Sequence, residues 1–364
     1  MQEPLGVARG PESDRRGAVT PPPLYAAIDL GSNNCRLLIA APTAHGLRIV
    51  DAFSRIVRLG EGVSSAGRLT EAAMARAMGA LDVCAEKIGR RGVSQVRAVA
   101  TQACRAAANG PEFLRAVAAR TGLSFSLITP REEAELAVAG CIDLVDPSAE
   151  AALILDVGGG STELSWIDLR SAGSALSRPS PRRAPIAAWH SIPIGVVTLA
   201  ERFPEAPGSD VWRREMVEAV KAQIAAFHGA DHLHRLFVGG QGHIVGTSGA
   251  ITSLAGVHLG LRRYDRSRVD GLWMSGEDCQ HAADRLAAMT LGARAAEPCI
   301  GPDRADLVLA GAAIVQAVQE LWPTTRLRVA DRGLREGLLY SLIAHDPRRL
   351  RRARTQPARG EPND

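Results

Sequence analysis

The stretch that decides the reading is Ala152-Leu-Ile-Leu-Asp156-Val-Gly-Gly-Gly160-Ser-Thr-Glu-Leu164. Its apolar run, Leu153 to Leu155, predicts a buried strand. The strand ends in Asp156, and after Val157 come Gly158, Gly159 and Gly160, then Ser161, Thr162 and Glu163. The glycines strip every Cβ from the turn, so its backbone is free to take φ > 0 and a ligand can come close to its amides. Successive amides in such a turn make a concave nest for an anion. Carboxylates on both sides of that nest repel an anion unless a divalent cation lies between them and a phosphate. The stretch therefore predicts a metal-assisted phosphate site.

A second stretch echoes the first. Tyr25-Ala-Ala-Ile-Asp29-Leu-Gly31-Ser-Asn-Asn-Cys-Arg-Leu-Leu-Ile-Ala40 also reads strand, small polar turn, strand. Both copies run aliphatic residue, Asp, aliphatic residue, Gly, and the two aspartates lie 127 positions apart (156 minus 29). Each opens a similar run of strands and helices. The pattern predicts duplicated halves facing one cleft.

The chain around these hairpins has 364 residues, enough for two domains with cores of their own, and an ordinary globular composition of 46% hydrophobic and 23% charged residues. No run of apolar residues is long enough to span a membrane. Residues 1–23 mix charge with proline and read as a disordered arm without a signal peptide. The six cysteines are scattered without a CxxC, which predicts reduced, buried thiols in a cytoplasmic protein. Of the net charge of +4, much sits in a basic tail after His345, so the folded body gives little support to nucleic-acid binding. Neither Lys87 nor Lys221 follows a glycine, which excludes a Walker A loop, and no GxGxxG is present.

Between the hairpins, Thr70 to Gly89 predicts a helix capped by Thr70, and Val96 to Ala100 a strand leading into a short helix capped by Thr101. Arg105 stands in that helix near the strand's carboxyl end, where ligands collect in α/β sheets. In Leu127-Ile-Thr-Pro130-Arg-Glu-Glu133-Ala-Glu-Leu-Ala-Val-Ala-Gly140, Thr129, Pro130 and Glu132 predict a capping box at a helix start. Glu132 then has a structural task, whereas Glu133 shares its helical face with Leu136, Ala137 and Gly140. An acid at the start of a buried stripe, spared from capping, is a candidate for chemistry, beside the plainer task of complementing the helix dipole.

Further on, the arginine-rich segment around Arg178, Arg182 and Arg183 reads as a solvated hairpin tip. His228, His232 and His234 read as a surface cluster at a helix end, and Arg235 to Val238 as a strand. The run Gly246-Thr-Ser-Gly249 leads from a strand into a helix whose small amino-terminal residues suit a phosphate or nucleoside. A last strand, glycine turn and helix span Leu327 to Tyr340.

Taken together these motifs resemble the exopolyphosphatase / guanosine pentaphosphate phosphohydrolase (Ppx/GppA) family, a branch of the actin-like, sugar-kinase-like superfamily. Ala27-Ile-Asp-Leu-Gly-Ser-Asn33 and Leu155 to Leu164 resemble its two phosphate loops. Ala100-Thr101 through Arg105 and Asn109, Arg131-Glu-Glu-Ala134, Pro193-Ile-Gly195 and Asp331-Arg-Gly-Leu-Arg-Glu-Gly337 match further signatures in order. The resemblance covers about residues 24 to 345.

It implies an α/β fold of two ribonuclease-H-like domains with the active site in the cleft between them. The expected division is an arm to residue 23, domains over 24–140 and 141–345, and a disordered basic tail from 346, with the last helix packing back on the first domain. The implied activity is magnesium-dependent (or manganese-dependent) release of orthophosphate from inorganic polyphosphate, with guanosine pentaphosphate hydrolysis or mere alarmone sensing as alternatives. Glu133 is the implied base and Arg105 a phosphate-contacting catalytic residue. Asp29, Gly31, Ser32, Asn33, Gly158, Gly159, Gly160 and Ser161 would bind phosphate, and Asp156 and Glu163 the metal. A homodimer is implied, with no membrane or nucleic-acid partner. The sequence departs from the family pattern at Asn34-Cys35, where a serine usually follows Asn33, and at Pro130, where glycine is common. Nothing after His345 resembles the HD-type domain of longer members, so a short two-domain form is expected.

Overall fold

The computed structural model describes residues 22–44, 46–172, 186–206, 209–323 and 326–347. The basic tail beyond them, nearly all of the amino-terminal arm, and Arg178, Arg182 and Arg183 lie outside the described residues.

Strands β1 (Tyr25–Leu30), β2 (Asn34–Thr43), β3 (Gly46–Ile56), β4 (Gln95–Ala100) and β5 (Phe125–Leu127) form one sheet in the order β3-β2-β1-β4-β5. A second sheet holds β6 (Ala151–Val157), β7 (Thr162–Asp168), β8 (Ile186–Ile192), β9 (Gly242–Thr247), β10 (Trp273–Met274) and β11 (Leu327–Ala330) in the order β10-β11-β9-β6-β7-β8. The pairings repeat. β1–β2 and β2–β3 are antiparallel, as are β6–β7 and β7–β8. β1–β4 and β4–β5 are parallel, as are β6–β9 and β9–β11. The echo in the sequence is thus a duplication of the ribonuclease-H-like sheet, strand for strand, with β10 added at one edge. This is the actin-like arrangement.

Each sheet is covered on both faces, which explains why its central strands read as continuous apolar runs. Side chains alternate. In β1, Ala26, Ile28 and Leu30 face a core shared with Leu81, Phe113 and Val117 of the outer helices. Tyr25 and Ala27 face the other way, against Leu136, Leu338 and Leu339. In β6, Leu153 and Leu155 join the large outer core, whereas Ala152 and Ile154 meet Val138, Cys141 and Ile142. By the same alternation Asp29 and Asp156 share the inner faces, turned towards the other half.

One helix, Pro130–Cys141, bridges the halves. Its Leu136 enters the inner core of the first sheet and its Val138 and Cys141 that of the second. The last helix, Leu334–Ala344, crosses it so closely that a Cβ at Gly337 would stand 2.0 Å from the Leu136 carbonyl oxygen. A Cβ at Gly140 would stand 1.9 Å from the Gly333 carbonyl oxygen. The last helix also packs on β1, and the buried Tyr25 hydroxyl donates to Asp346 just past its end.

Two local expectations fail. Residues 235–238 are not a strand but the last turn of the helix Ala230–Val238, whose apolar face seats Leu233, Leu236 and Phe237 in the core. Helical spacing of these residues outweighs the short apolar run. Thr101 precedes the helix Gln102–Ala106, yet its side chain makes no capping hydrogen bond. All six cysteines are free and buried. Among the described residues no helix is long and apolar enough to cross a membrane.

Candidate active site

The two hairpin tips meet. Between β1 and β2 the turn is closed by the Gly31 amide donating to the Asn34 carbonyl, 2.9 Å, and is braced by Gly60 N–H on Ser32 O, 2.8 Å. Between β6 and β7 the Gly158 amide donates to Ser161 O, 2.9 Å, while Gly158 O and Gly159 O accept from Val196 N and Val197 N at the start of the helix Val196–Arg202. The carbonyls of Gly158, Gly159 and Ser161 are thereby occupied. The amides of Ser32, Asn33, Gly159, Gly160 and Ser161 donate to no protein acceptor among the described residues. Five free amides on two abutting turns are donors of the kind an anion nest uses.

The glycines serve a purpose other than the expected backbone freedom. None of Gly158, Gly159 or Gly160 has φ in the left-handed region. A Cβ at Gly159 would lie 2.8 Å from Asn33 N, and one at Gly160 would lie 2.6 Å from Ser32 Oγ. Gly195 is equally tight, 2.4 Å from the Gly159 carbonyl carbon. The absent side chains let the turns touch each other and the helix below.

A cavity of about 540 Å³ opens at this junction, and Asp29, Glu133, Asp156 and Glu163 all line it. Register explains three of them. Asp156 and Glu163 are directly opposite on β6 and β7, so their carboxylates project from the same face. Asp29 has the same place on β1, but its partner on β2 is Arg36. The fourth acid arrives on the bridging helix. Thr129 and Glu132 form the expected capping box there, with Glu132 Oε2 accepting from Thr129 N at 2.9 Å, which leaves Glu133 free.

Glu133 is buried, and its Oε2 accepts from Arg105 Nη1 at 2.9 Å. Arg105 is itself fixed by the Ile128 carbonyl and by Gln102 Oε1, both at 2.8 Å. No donor to Glu133 Oε1 is present among the described residues. Burial pushes the Glu133 carboxyl up to about 7; Arg105 opposes this, and the charges of Asp156 and Asp29 add to it. Asp156 is raised to about 6 by burial, with Arg36 opposing and Asp29 adding. Burial also raises Glu163, reinforced by Glu133 and Asp156, although Ser161 and Ser191 hydroxyls bind it, Ser191 Oγ at 2.9 Å from Oε1.

Carboxylates whose proton affinity is raised by burial first and by one another second fit a hard divalent cation, which would compensate the buried charge. The buried Asn33 Oδ1 beside them lacks a protein partner. No group of three or more Asp, Glu, His or Cys side chains among the described residues is arranged to hold an ion unaided.

A profile of the Ppx/GppA phosphatase family matches residues 38–346. The chain belongs to the Ppx/GppA phosphatase family. It is 31% identical to exopolyphosphatase 2 of Mycobacterium tuberculosis over 335 residues, covering 87% of this chain and 98% of that protein. It is 30% identical to a guanosine-5'-triphosphate,3'-diphosphate pyrophosphatase of Aeromonas hydrophila, covering 89% of this chain and 60% of that one. Among solved structures, an exopolyphosphatase-like protein superposes with a TM-score of 0.76 at 29% identity, and the Aquifex aeolicus family member with 0.70 at 28%. Each covers 90% of this chain and 99% of the other.

The cavity gathers every residue expected at the site except Arg105, which stands behind Glu133 as its ion-pair partner. Asn109 is structural: its side chain bonds both the amide and the carbonyl of Leu69. Sequence reasoning missed Gln102, which orients Arg105, and Ser191, which holds Glu163. For Ser191 the only signal is its register opposite Glu163, invisible until β8 is paired. Arg36 could have been found by folding the first hairpin about Gly31 to Asn33, which sets it opposite Asp29.

Proposed function

We propose that this protein is an exopolyphosphatase that hydrolyses the terminal phosphoanhydride of inorganic polyphosphate and releases orthophosphate. The observation that carries this reading is Glu133. It is a buried carboxyl near neutrality, held through one oxygen by Arg105 and free at the other, in the cavity where two amide-rich turns meet.

The terminal phosphoryl group sits on the free amides of Ser32, Asn33, Gly159, Gly160 and Ser161. Glu133 Oε1 takes a proton from a water molecule, whose oxygen forms a bond to the terminal phosphorus. The bond from that phosphorus to the bridging oxygen breaks, and the electron pair leaves on the shortened chain. General-base assistance of this kind contributes about 10²–10⁴ in rate. Arg105 keeps the Glu133 carboxylate oriented and lowers its proton affinity. Asp156 and Glu163 would hold a magnesium or manganese ion, which would supply charge neutralisation at the phosphate oxygens.

Guanosine pentaphosphate is the second substrate to consider, because the cavity runs past the turns to the helix at Ser248 and to Tyr264, with volume for a nucleoside. The test is orthophosphate release from polyphosphate, guanosine pentaphosphate and ATP in one magnesium-containing assay. The proposal expects polyphosphate to be used best; an ATP-dependent phosphoryl transfer without hydrolysis would overturn it.

A further inference from the structure

Residues 57–64, which follow β3, touch the first turn and cross to the other half. The Val57 and Arg58 amides donate to the Asn33 carbonyl at 2.8 and 3.0 Å, and the Gly60 amide donates to that of Ser32. Arg58 clamps the Asp306 carboxylate through both terminal nitrogens, each at 2.8 Å, and donates to the Asp303 carbonyl at 3.1 Å. Glu201 comes the opposite way and accepts from the Gly62 amide at 2.9 Å and from Ser64 Oγ at 3.0 Å.

The far ends of both bridges lead back to the second turn. Glu201 stands near the end of the helix Val196–Arg202, whose first amides hold the Gly158 and Gly159 carbonyls. Asp306 lies in the turn before the helix Val308–Leu321, in which a Cβ added at Gly311 would meet Val196 Cγ1 at 3.5 Å. Buried Arg294 fixes that turn through the Ala305 carbonyl, 3.1 Å, and is itself paired with Glu205.

Two observations separate the Arg58 contact from ordinary surface pairing. The Arg58 and Asp306 side chains are 30% and 41% exposed, so their attraction contributes little to stability. Yet Arg58 holds φ at 47°, a left-handed conformation unfavourable for a residue with a Cβ. Among the described residues the only other non-glycine with positive φ is Ser248, in the wall of the cavity. Such strain persists where the surroundings impose it, and it collects at functional sites. Glu61 and Asp303 also favour the charged form of Arg58, but Asp306 has the largest effect, and Glu61 is engaged by Arg76 at 2.7 Å.

We propose that residues 57–64 are a strut that sets the spacing of the two turns, with Arg58 and Glu201 as its positioning residues. The inference rests on the phosphoanhydride reading. A phosphate that takes amides from both turns is held well at one separation only, and a misplacement of about 1 Å can cost on the order of 10²-fold in rate. Arg58, Glu201 and Asp306 do not line the cavity, so replacing them removes no substrate contact.

The experiment measures orthophosphate release from polyphosphate with magnesium, together with melting temperature, for wild type, Arg58→Gly, Glu201→Ala, Asp306→Asn, Arg58→Asp and the reversed pair Arg58→Asp with Asp306→Arg. Glycine removes the guanidinium group and relieves the left-handed backbone at once. Arg58→Gly should therefore melt no lower than wild type while kcat/KM falls about 10–100-fold. Glu201→Ala and Asp306→Asn should lose activity likewise, and the reversed pair should recover at least about tenfold over Arg58→Asp alone, as coupled partners do. A kcat/KM within about twofold of wild type in Arg58→Gly overturns the strut, as does a loss that tracks a lower melting temperature or that the reversed pair leaves unrescued. If wild type releases no orthophosphate, the functional reading fails instead. Calorimetric binding of tripolyphosphate with magnesium then decides the strut by itself: affinity about tenfold weaker in Arg58→Gly supports it, and equal or absent binding overturns it.

Discussion

Arg105 Nη1 donates to Glu133 Oε2 across 2.9 Å, joining the first helix after β4 to the helix that bridges both halves. The pair holds the carboxyl group at the junction of two turns and offsets part of the burial that would keep it protonated. Arg105→Ala should therefore lower kcat at neutral pH by at least tenfold and move the acid limb of the rate profile upward. Steady-state kinetics across pH would check both effects. An unshifted limb would mean that Arg105 does not set the proton affinity of Glu133.

The pH dependence has a defined sign. A base must be ionised, and the Glu133 carboxyl stands at about 7. Below that value the ionised fraction falls tenfold per unit. The rate kcat/KM should accordingly rise from pH 5 to about pH 7 and level off above it, with the limb lower when a cation neutralises the neighbouring acids. A profile flat from pH 5 to 8 would contradict the assignment.

Helix packing behind the site should be intolerant of a single methyl group. At Gly337 an added Cβ would lie 2.0 Å from the Leu136 carbonyl oxygen, in backbone that cannot swing aside. Gly337→Ala should destabilise the protein by about 1–3 kcal/mol and reduce turnover by displacing the helix that carries Glu133. Gly79 is the control, inside the helix Glu71–Arg91 with nothing near its missing Cβ. Gly79→Ala should stabilise by about 0.5–1 kcal/mol. Thermal melting of the two variants reads the contrast.

Removal of divalent metal should abolish hydrolysis, and magnesium or manganese should restore it. Magnesium should also raise the melting temperature, because it binds the crowded acids of the folded state only. Asp156→Asn should lose most of that rise. An unchanged magnesium-induced shift in this variant would remove Asp156 from the metal site.

The duplicated hairpins and the capping of the bridging helix were legible because their signals are local. Asp29 and Asp156 end apolar runs, and Thr129 with Glu132 form a capping box within four residues. The echo between the halves announced a duplication, while the strand order itself came only with the structure. What stayed hidden depends on long-range pairing. Ser191 meets Glu163 only through the β7–β8 register, and Gly195 and Gly337 matter because distant backbone lies against them. Of the two reasons the sequence offers for the glycines at 158–160, left-handed φ does not apply, and Gly159 and Gly160 leave room for Ser32 and Asn33, which no local signal announces. The error at 235–238 arose because a short apolar run carries no period long enough to separate strand from helix.

The most direct test of the central claim is Glu133→Gln, which keeps the side chain's size and removes its ability to accept a proton. Turnover of polyphosphate with saturating magnesium should fall by about 10²–10⁴, while polyphosphate binding measured by calorimetry stays near that of wild type. Near-full turnover by Glu133→Gln would show that another group activates the water.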